Sequence, residues 1–339
     1  MAEGRFTNPV VASLAGVKDF FAKQELESRF SDEDRSEEKT VLITGANSGL
    51  GYGLAVEFAK RGARVIMAGR SKIPEAGEQV KKDSGSDKVE ILYLDLSKIE
   101  TIHQFVKVLA EREIKIDICI FNAATALPGS RQTASGQDEM FLVNYLSNVI
   151  LSQLLLSKNV IELKEEAPLS KMIFISSDSH QGASYIDHDE FGTYFKYGVS
   201  KGISNYSYFK LVLNTYATEL SRRINRESTR LSINVICPGP VSSNIVKEAP
   251  WLLRMTLKGI FRIVFKSPEK AARPVVYMAL SPDYEGKSNE YLHMFNPKKM
   301  DPKVYEVQEG EKLWTRSLDL LRTIDQDHKD YTDRADKMI

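Results

Sequence analysis

The chain has 339 residues, 42% of them hydrophobic, enough to bury one large core. Its 46 Lys and Arg balance 46 Asp and Glu, so the formal net charge is zero and nothing draws the chain generally to nucleic acid. Cys119 and Cys237 sit in the apolar runs "IDICIFNA" and "INVICPGP" and read as small buried residues of a reducing compartment, which excludes a disulfide framework.

The N-terminus lacks the charged, apolar, small-residue order of a signal peptide. No run approaches the roughly 18 apolar residues of a spanning helix, so the chain is expected to be cytoplasmic. Residues 1–38 read as a helical extension and charged linker. In "NPVVASLAGVKDFFAK", Val10, Leu14, Val17 and Phe21 recur at helical spacing, and that helix either packs on the body or touches a membrane surface. From residue 39 the runs "TVLITG", "RVIMAG", "VEILYLD", "IDICIFNA", "KMIFIS" and "LSINVICPG" alternate with helical patterns. This predicts an α/β fold, a doubly wound parallel sheet of Rossmann type in a single domain over 39–300. "EYLHMF", at 290–295, adds a strand, giving about seven. Residues 301–339 read as a helical tail, "VYEVQEGEKLWTRSLDLLRTI" and then a charged end expected to fray.

The first strand runs straight into "TGANSGLGYG", placing Gly45, Gly49 and Gly51 in a strand-to-helix turn. Glycines admit a pyrophosphate close to the backbone, and the helix N-terminus offers unpaired N–H groups. The spacing G-x-x-x-G-x-G resembles the cofactor loop of the short-chain dehydrogenase/reductase family. That resemblance implies that Asn47, Ser48 and Leu50 join the three glycines around the cofactor. It further implies that Asp95 and Leu96 in "YLDLS" hold the adenine, and that Asn122 and Ala123 in "FNAA" end the fourth strand beside it. At the end of the second strand an acid would hold the ribose 2′-hydroxyl of NAD. The sequence there is "VIMAGRSK", with Arg70 and Lys72 and no acid, so the expected cofactor is NADP(H).

The stretch "YGVSKGISNYSYFK", 197–210, contains Y-x-x-x-K twice. A lysine one helical turn after a tyrosine favours the phenolate, pulling its pKa down from about 10. Nine residues separate Tyr197 from Tyr206, about half a revolution of helix, so only one of them faces the sheet. The face of Tyr206 continues through Lys210, Leu213, Ala217, Leu220 and Ile224, an apolar stripe, whereas that of Tyr197 runs through Lys201, Ser204, Tyr208, Val212, Thr215, Glu219 and Arg222 and reads as solvent. Tyr206 and Lys210 are therefore the expected pair. "YSYFKLVLNTYATELSRRI" is similar in register to retinol-dehydrogenase-like members of the family. Gly198 and Gly202, which would let 197–203 stay out of the helix, and "YGVSK", which resembles the family's common Y-x-x-S-K form, keep Tyr197 as the alternative.

The resemblance also implies a catalytic Ser177 after the fifth strand and a water-anchoring Asn144 in "FLVNYLSN". Ser176 is the fallback, although strand alternation points it the other way. Pro238, Gly239, Val241 and Ser243 in "CPGPVSSN" are implied to meet the nicotinamide end, where Tyr206 and Lys210 also hold the cofactor. The function so implied is hydride transfer between nicotinamide and a carbonyl or alcohol of a small lipophilic substrate. A C=C reductase and a non-catalytic nucleotide-dependent binding protein stay open as alternatives. The segment 250–268, "PWLLRMTLKGIFRIVFKSP", reads as a substrate lid with peripheral membrane contact, or as an ordinary lid or homodimer interface. His180, His188, Asp187 and Asp189 form a polar loop cluster for which no metal is expected.

Overall fold

A computed structural model describes residues 24–31, 34–239 and 267–336. The helix expected around Val10 to Phe21, residues Val241 and Ser243, and all but the last two residues of 250–268 lie outside them. One eight-stranded sheet organises the rest, in the order β3-β2-β1-β4-β5-β6-β7-β8. Its strands are β1 (Thr40–Thr44), β2 (Arg64–Gly69), β3 (Val89–Tyr93), β4 (Ile118–Phe121), β5 (Lys171–Ile175), β6 (Ser232–Cys237), β7 (Tyr291–His293) and β8 (Asn296–Lys298). The first seven are parallel and β8 is antiparallel to β7.

The sheet is doubly wound because both faces of its strands are apolar. In β1, Val41 and Ile43 face a core built with α1 (Gly49–Lys60), α2 (Glu75–Ser84) and α6 (Pro268–Leu280). Leu42 faces the opposite core, with α3 (Ile99–Glu111), α4 (Glu139–Ser157) and α5 (Val199–Ile224). Burial on both sides explains why these strands read as continuous β-branched runs rather than alternating ones. Cys119 and Cys237 are buried free thiols in this core.

The expected sheet gains one strand, and two expectations are corrected. The sheet has an eighth strand, because Asn296–Lys298 folds back on β7. Its three residues are too few to show a period, and Pro297 is tolerated because the strand lies at the edge. Helix α4 is, by length and composition, apolar enough to cross a membrane, yet 94% of its apolar window is buried inside the protein. It is a core helix, opened by Asp138, whose side chain accepts from the N–H groups of Met140 and Phe141. Finally, the charged end does not fray within the described residues. After α7 (Val307–Ile324), α8 (Lys329–Asp336) docks through the fully buried Tyr331, whose hydroxyl donates to Asp325 at 2.6 Å.

Candidate active site

The carboxyl ends of β1, β2, β4, β5 and β6 open on a cleft of about 490 Å³, within the range of small-molecule sites. Gly45, Asn47, Ser48, Gly49, Leu50, Gly51, Arg70, Asp95, Leu96, Asn122, Ala123, Ser177, Tyr206, Lys210, Pro238 and Gly239 all line it. Asn144 does not, and Val241 and Ser243 fall outside the described residues.

At the turn between β1 and α1, Gly45 has φ +65° and a Cβ on Gly51 would fall 2.3 Å from the carbonyl oxygen of Gly45. The Ser48 side chain makes no cap bond, so the first turn of α1, which lines the cleft, keeps its N–H groups for a ligand. A pyrophosphate fits this cradle. Asn122 braces it: its Nδ2 donates to the Thr44 carbonyl at 2.8 Å, and its N–H donates to Thr44 Oγ1 at 3.0 Å. Asn122 thus ties the ends of β4 and β1 together, with its amide turned toward the loop.

At the end of β2, Arg70 is more than half exposed and stands 3.8 Å from both Asp95 Oδ1 and Glu139 Oε1. Asn47 Nδ2 donates to the Ser71 carbonyl at 3.1 Å and to Ser71 Oγ at 2.9 Å, fixing the backbone beside Arg70. Asp95 Oδ1 accepts from the Ser97 hydroxyl at 2.7 Å and so shapes its own turn. Glu139, which sequence reasoning missed, is buried and also pairs with Arg131 at 3.0 Å. Its only sequence signal was an acid opening an apolar helix, which reads equally well as dipole stabilisation.

Helix α5 begins at Val199, so Tyr197 precedes it, and the face read as solvent is instead buried at Val212, Thr215 and Glu219, because this helix packs on the sheet and on α7 as well. The Tyr197 hydroxyl donates to the Asp138 carboxylate, at 3.0 Å and 3.1 Å from its two oxygens, away from the cleft. Tyr206 and Lys210 do line the cleft. Lys210 Nζ donates to the Ile175 carbonyl at 2.7 Å and lies 5.7 Å from the Tyr206 ring centroid. Burial pushes the Lys210 ammonium down to about 8. Burial also lifts the Tyr206 phenol well above its ordinary value, with a smaller contribution from nearby Cys237. The expected lowering of the tyrosine pKa is therefore absent here, because the ammonium bonds to a carbonyl and desolvation outweighs its field.

Ser176 and Ser177 both line the cleft, since β5 ends at Ile175 and the alternation of the strand no longer orients them. Ser177 Oγ accepts from the Ser179 N–H at 3.3 Å, whereas Ser176 Oγ is buried. Asn144 lies fully buried in a π-helical stretch of α4, Leu142–Leu146. Its Oδ1 accepts from the Thr125 N–H at 2.7 Å and its Nδ2 donates to the Thr125 carbonyl at 2.8 Å. This pairing braces a wall of the cleft and leaves the amide a second N–H and a second lone pair. His180 bonds to the backbone of Ser177 and Asp301, and His188 to Glu309, so the polar loop cluster is dispersed among separate partners.

A family model for short chain dehydrogenase matches residues 39–186. Human polyprenol dehydrogenase is 29% identical over 293 residues, covering 85% of this chain and 86% of its own. Mouse retinol dehydrogenase 13 is 31% identical over 289 residues, covering 84% of each. Among solved structures, an uncharacterized protein from Mycobacterium paratuberculosis superposes with TM-score 0.65 at 23% identity, over 86% of this chain and 96% of that one. A Pseudomonas aeruginosa RhlG/NADP active-site complex gives TM-score 0.58 at 19% identity, over 78% and 97%. At such identities the two structures speak to the fold.

Proposed function

The chain belongs to the short-chain dehydrogenase/reductase family, as a retinol-dehydrogenase-like oxidoreductase using a nicotinamide cofactor, and from that premise we propose that it is an NADP(H)-dependent enzyme interconverting a lipophilic alcohol and its carbonyl. NADP(H), when bound, supplies or accepts the hydride. The glycine turn and the first turn of α1 hold its pyrophosphate, and Asp95 with Leu96 borders the adenine. Arg70 meets the 2′-phosphate, with Asp95 and Glu139 steering the guanidinium from 3.8 Å.

In reduction, the Tyr206 hydroxyl gives its proton to the oxygen of the carbonyl as that oxygen gains charge; in oxidation the phenolate takes it back. Lys210, held on the Ile175 carbonyl beside the Tyr206 ring, holds the nicotinamide ribose. Ser177 donates a hydrogen bond to the same substrate oxygen, stabilising the charge that develops there. Asn144 is a positioning residue that keeps Thr125 in the wall of the cleft. Ala126, Leu127 and Val143 in the lining suit an apolar substrate, as do the polyprenol and retinol named for the relatives.

The cofactor preference is carried by one observation: Arg70 and Lys72 border the cleft at the end of β2, and the strand end carries no acid. Fluorescence titration with NADPH and NADH, followed by turnover on a panel of aliphatic and polyene aldehydes, tests the reading. Tighter NADPH binding with aldehyde-dependent oxidation supports it, and equal affinity for the two nucleotides contradicts the cofactor assignment.

A further inference from the structure

Asp178 directly follows Ser177, and its carboxylate is buried among side chains from the far edge of the sheet. Oδ1 accepts from the Tyr291 hydroxyl of β7. Oδ2 lies 2.5 Å from His293 Nδ1 and 3.2 Å from Lys298 Nζ of β8. Burial alone would push this carboxyl up, but the His293 and Tyr291 bonds and the Lys298 charge hold it well below the usual carboxylate range. The carboxylate is thus held between His293, Tyr291 and Lys298. Cys237 Sγ, Asp178 and His293 bring three metal-ligand types within 4.8 Å of one another. The Lys298 ammonium already supplies the cation there, 3.1 Å from His293 Nδ1, so the cluster is an ion-paired network.

The other side of the serine turn is clasped by the same C-terminal segment. His180 Nε2 accepts from the Asp301 N–H at 3.2 Å, which leaves the proton on Nδ1, 2.7 Å from the Ser177 carbonyl. The Ser177 hydroxyl itself accepts the Ser179 N–H and keeps its own proton to donate into the cleft. An ordinary cap at a strand end would bond its own backbone. Asp178 instead spends its oxygens on side chains more than a hundred residues away, and burying a charge is costly unless it is fully paired.

We propose that Asp178, anchored by Tyr291, His293 and Lys298, is a positioning residue that fixes the Ser177 hydroxyl against the substrate oxygen. The role rests on the carbonyl/alcohol reading above. It predicts that loss of the charge misplaces Ser177 without disturbing the cofactor cradle, which lies at the ends of β1 and β2.

A double-mutant cycle tests it, with kcat, KM, NADPH Kd and Tm measured for wild type, Asp178→Asn, Ser177→Ala and the double variant. Asp178→Asn should lower kcat by roughly 10- to 100-fold, the scale of a misplaced catalytic group, while NADPH Kd moves less than about twofold. In the Ser177→Ala background the same change should cost less than about twofold, because the group it positions is gone. Tyr291→Phe, which removes one donor and leaves the acid paired, should give a smaller kcat loss of the same pattern. Additive losses, or a lower Tm with kcat unchanged in both Asp178→Asn and Tyr291→Phe, overturn the role and leave the enzyme reading intact. Absence of wild-type turnover on every carbonyl overturns both.

Discussion

Lys210 Nζ donates to the carbonyl oxygen of Ile175 across 2.7 Å, so the ammonium proposed to assist Tyr206 is also the group that closes α5 onto the end of β5. The lysine is almost wholly buried, and its position costs stability that the hydrogen bond only partly offsets.

That cost is visible as pH dependence. Burial depresses Lys210 from 10.5 to about 8, so its contribution to stability is present above the unfolded value and is lost as pH falls through about 8. The stability difference between wild type and Lys210→Met should be flat below about pH 7 and should shift in favour of wild type from about pH 8 to 10.5, by on the order of 3 kcal/mol in all. Scanning calorimetry of both proteins across that range checks it. A pH-independent difference contradicts the buried ammonium.

The two tyrosines should separate cleanly. Tyr206→Phe loses the proton donor and should lower kcat by roughly 10²- to 10⁴-fold with NADPH affinity near wild type. Tyr197→Phe removes a hydroxyl that donates to Asp138, the cap of α4. It should keep most activity while costing about 1.5–3 kcal/mol of stability, the worth of a hydrogen bond to a charged group. Inactivation by Tyr197→Phe with Tyr206→Phe still active would reverse the assignment.

Arg70→Ala should weaken NADPH by about 1.5–3 kcal/mol and leave NADH nearly unchanged. Thermal stability should hardly move, because Arg70 is more than half exposed and its ion pairs are 3.8 Å long. Equal losses for the two nucleotides would remove Arg70 from the phosphate site.

The docking of α8 should be strongest at mildly acidic pH. His103 Nε2 lies 2.8 Å from Asp325 Oδ2, which also accepts from the Tyr331 hydroxyl. Burial works against both charges, yet the bonds within the cluster lower Asp325 and raise His103 on balance. The acid contributes above its ordinary 3.8 and loses that contribution as pH falls through its lowered folded value. The imidazole contributes fully below its ordinary 6.5 and loses that contribution as pH rises through its raised folded value. Asp325→Asn should therefore lower Tm most between about pH 4 and 6.5 and progressively less above it. A constant Tm difference would show that the histidine carries no charge in the latch.

The glycine turn and the parallel sheet were legible because each rests on local pattern: a glycine spacing after a strand, and β-branched runs buried on both faces. The choice of Tyr206 was argued from two tyrosines on opposite faces of one helix. The structure brings Tyr206 to the cleft and leaves Tyr197 outside for a different reason, since the helix starts only after Gly198. Glu139 and Asp178 were not legible, because each looks like a cap until its distant partners are known. The final helix was misread because Tyr331 and Thr332, its buried residues among those described, do not make an amphipathic stripe amid so many charges.

The most direct test is product analysis with a long-chain α,β-unsaturated aldehyde and NADPH, comparing wild type with Tyr206→Phe. Wild type should consume NADPH stoichiometrically with formation of the allylic alcohol, its C=C bond intact, and Tyr206→Phe should form almost none while still binding NADPH. Formation of the saturated aldehyde, or tight NADPH binding with no aldehyde-dependent oxidation by wild type, would contradict the account.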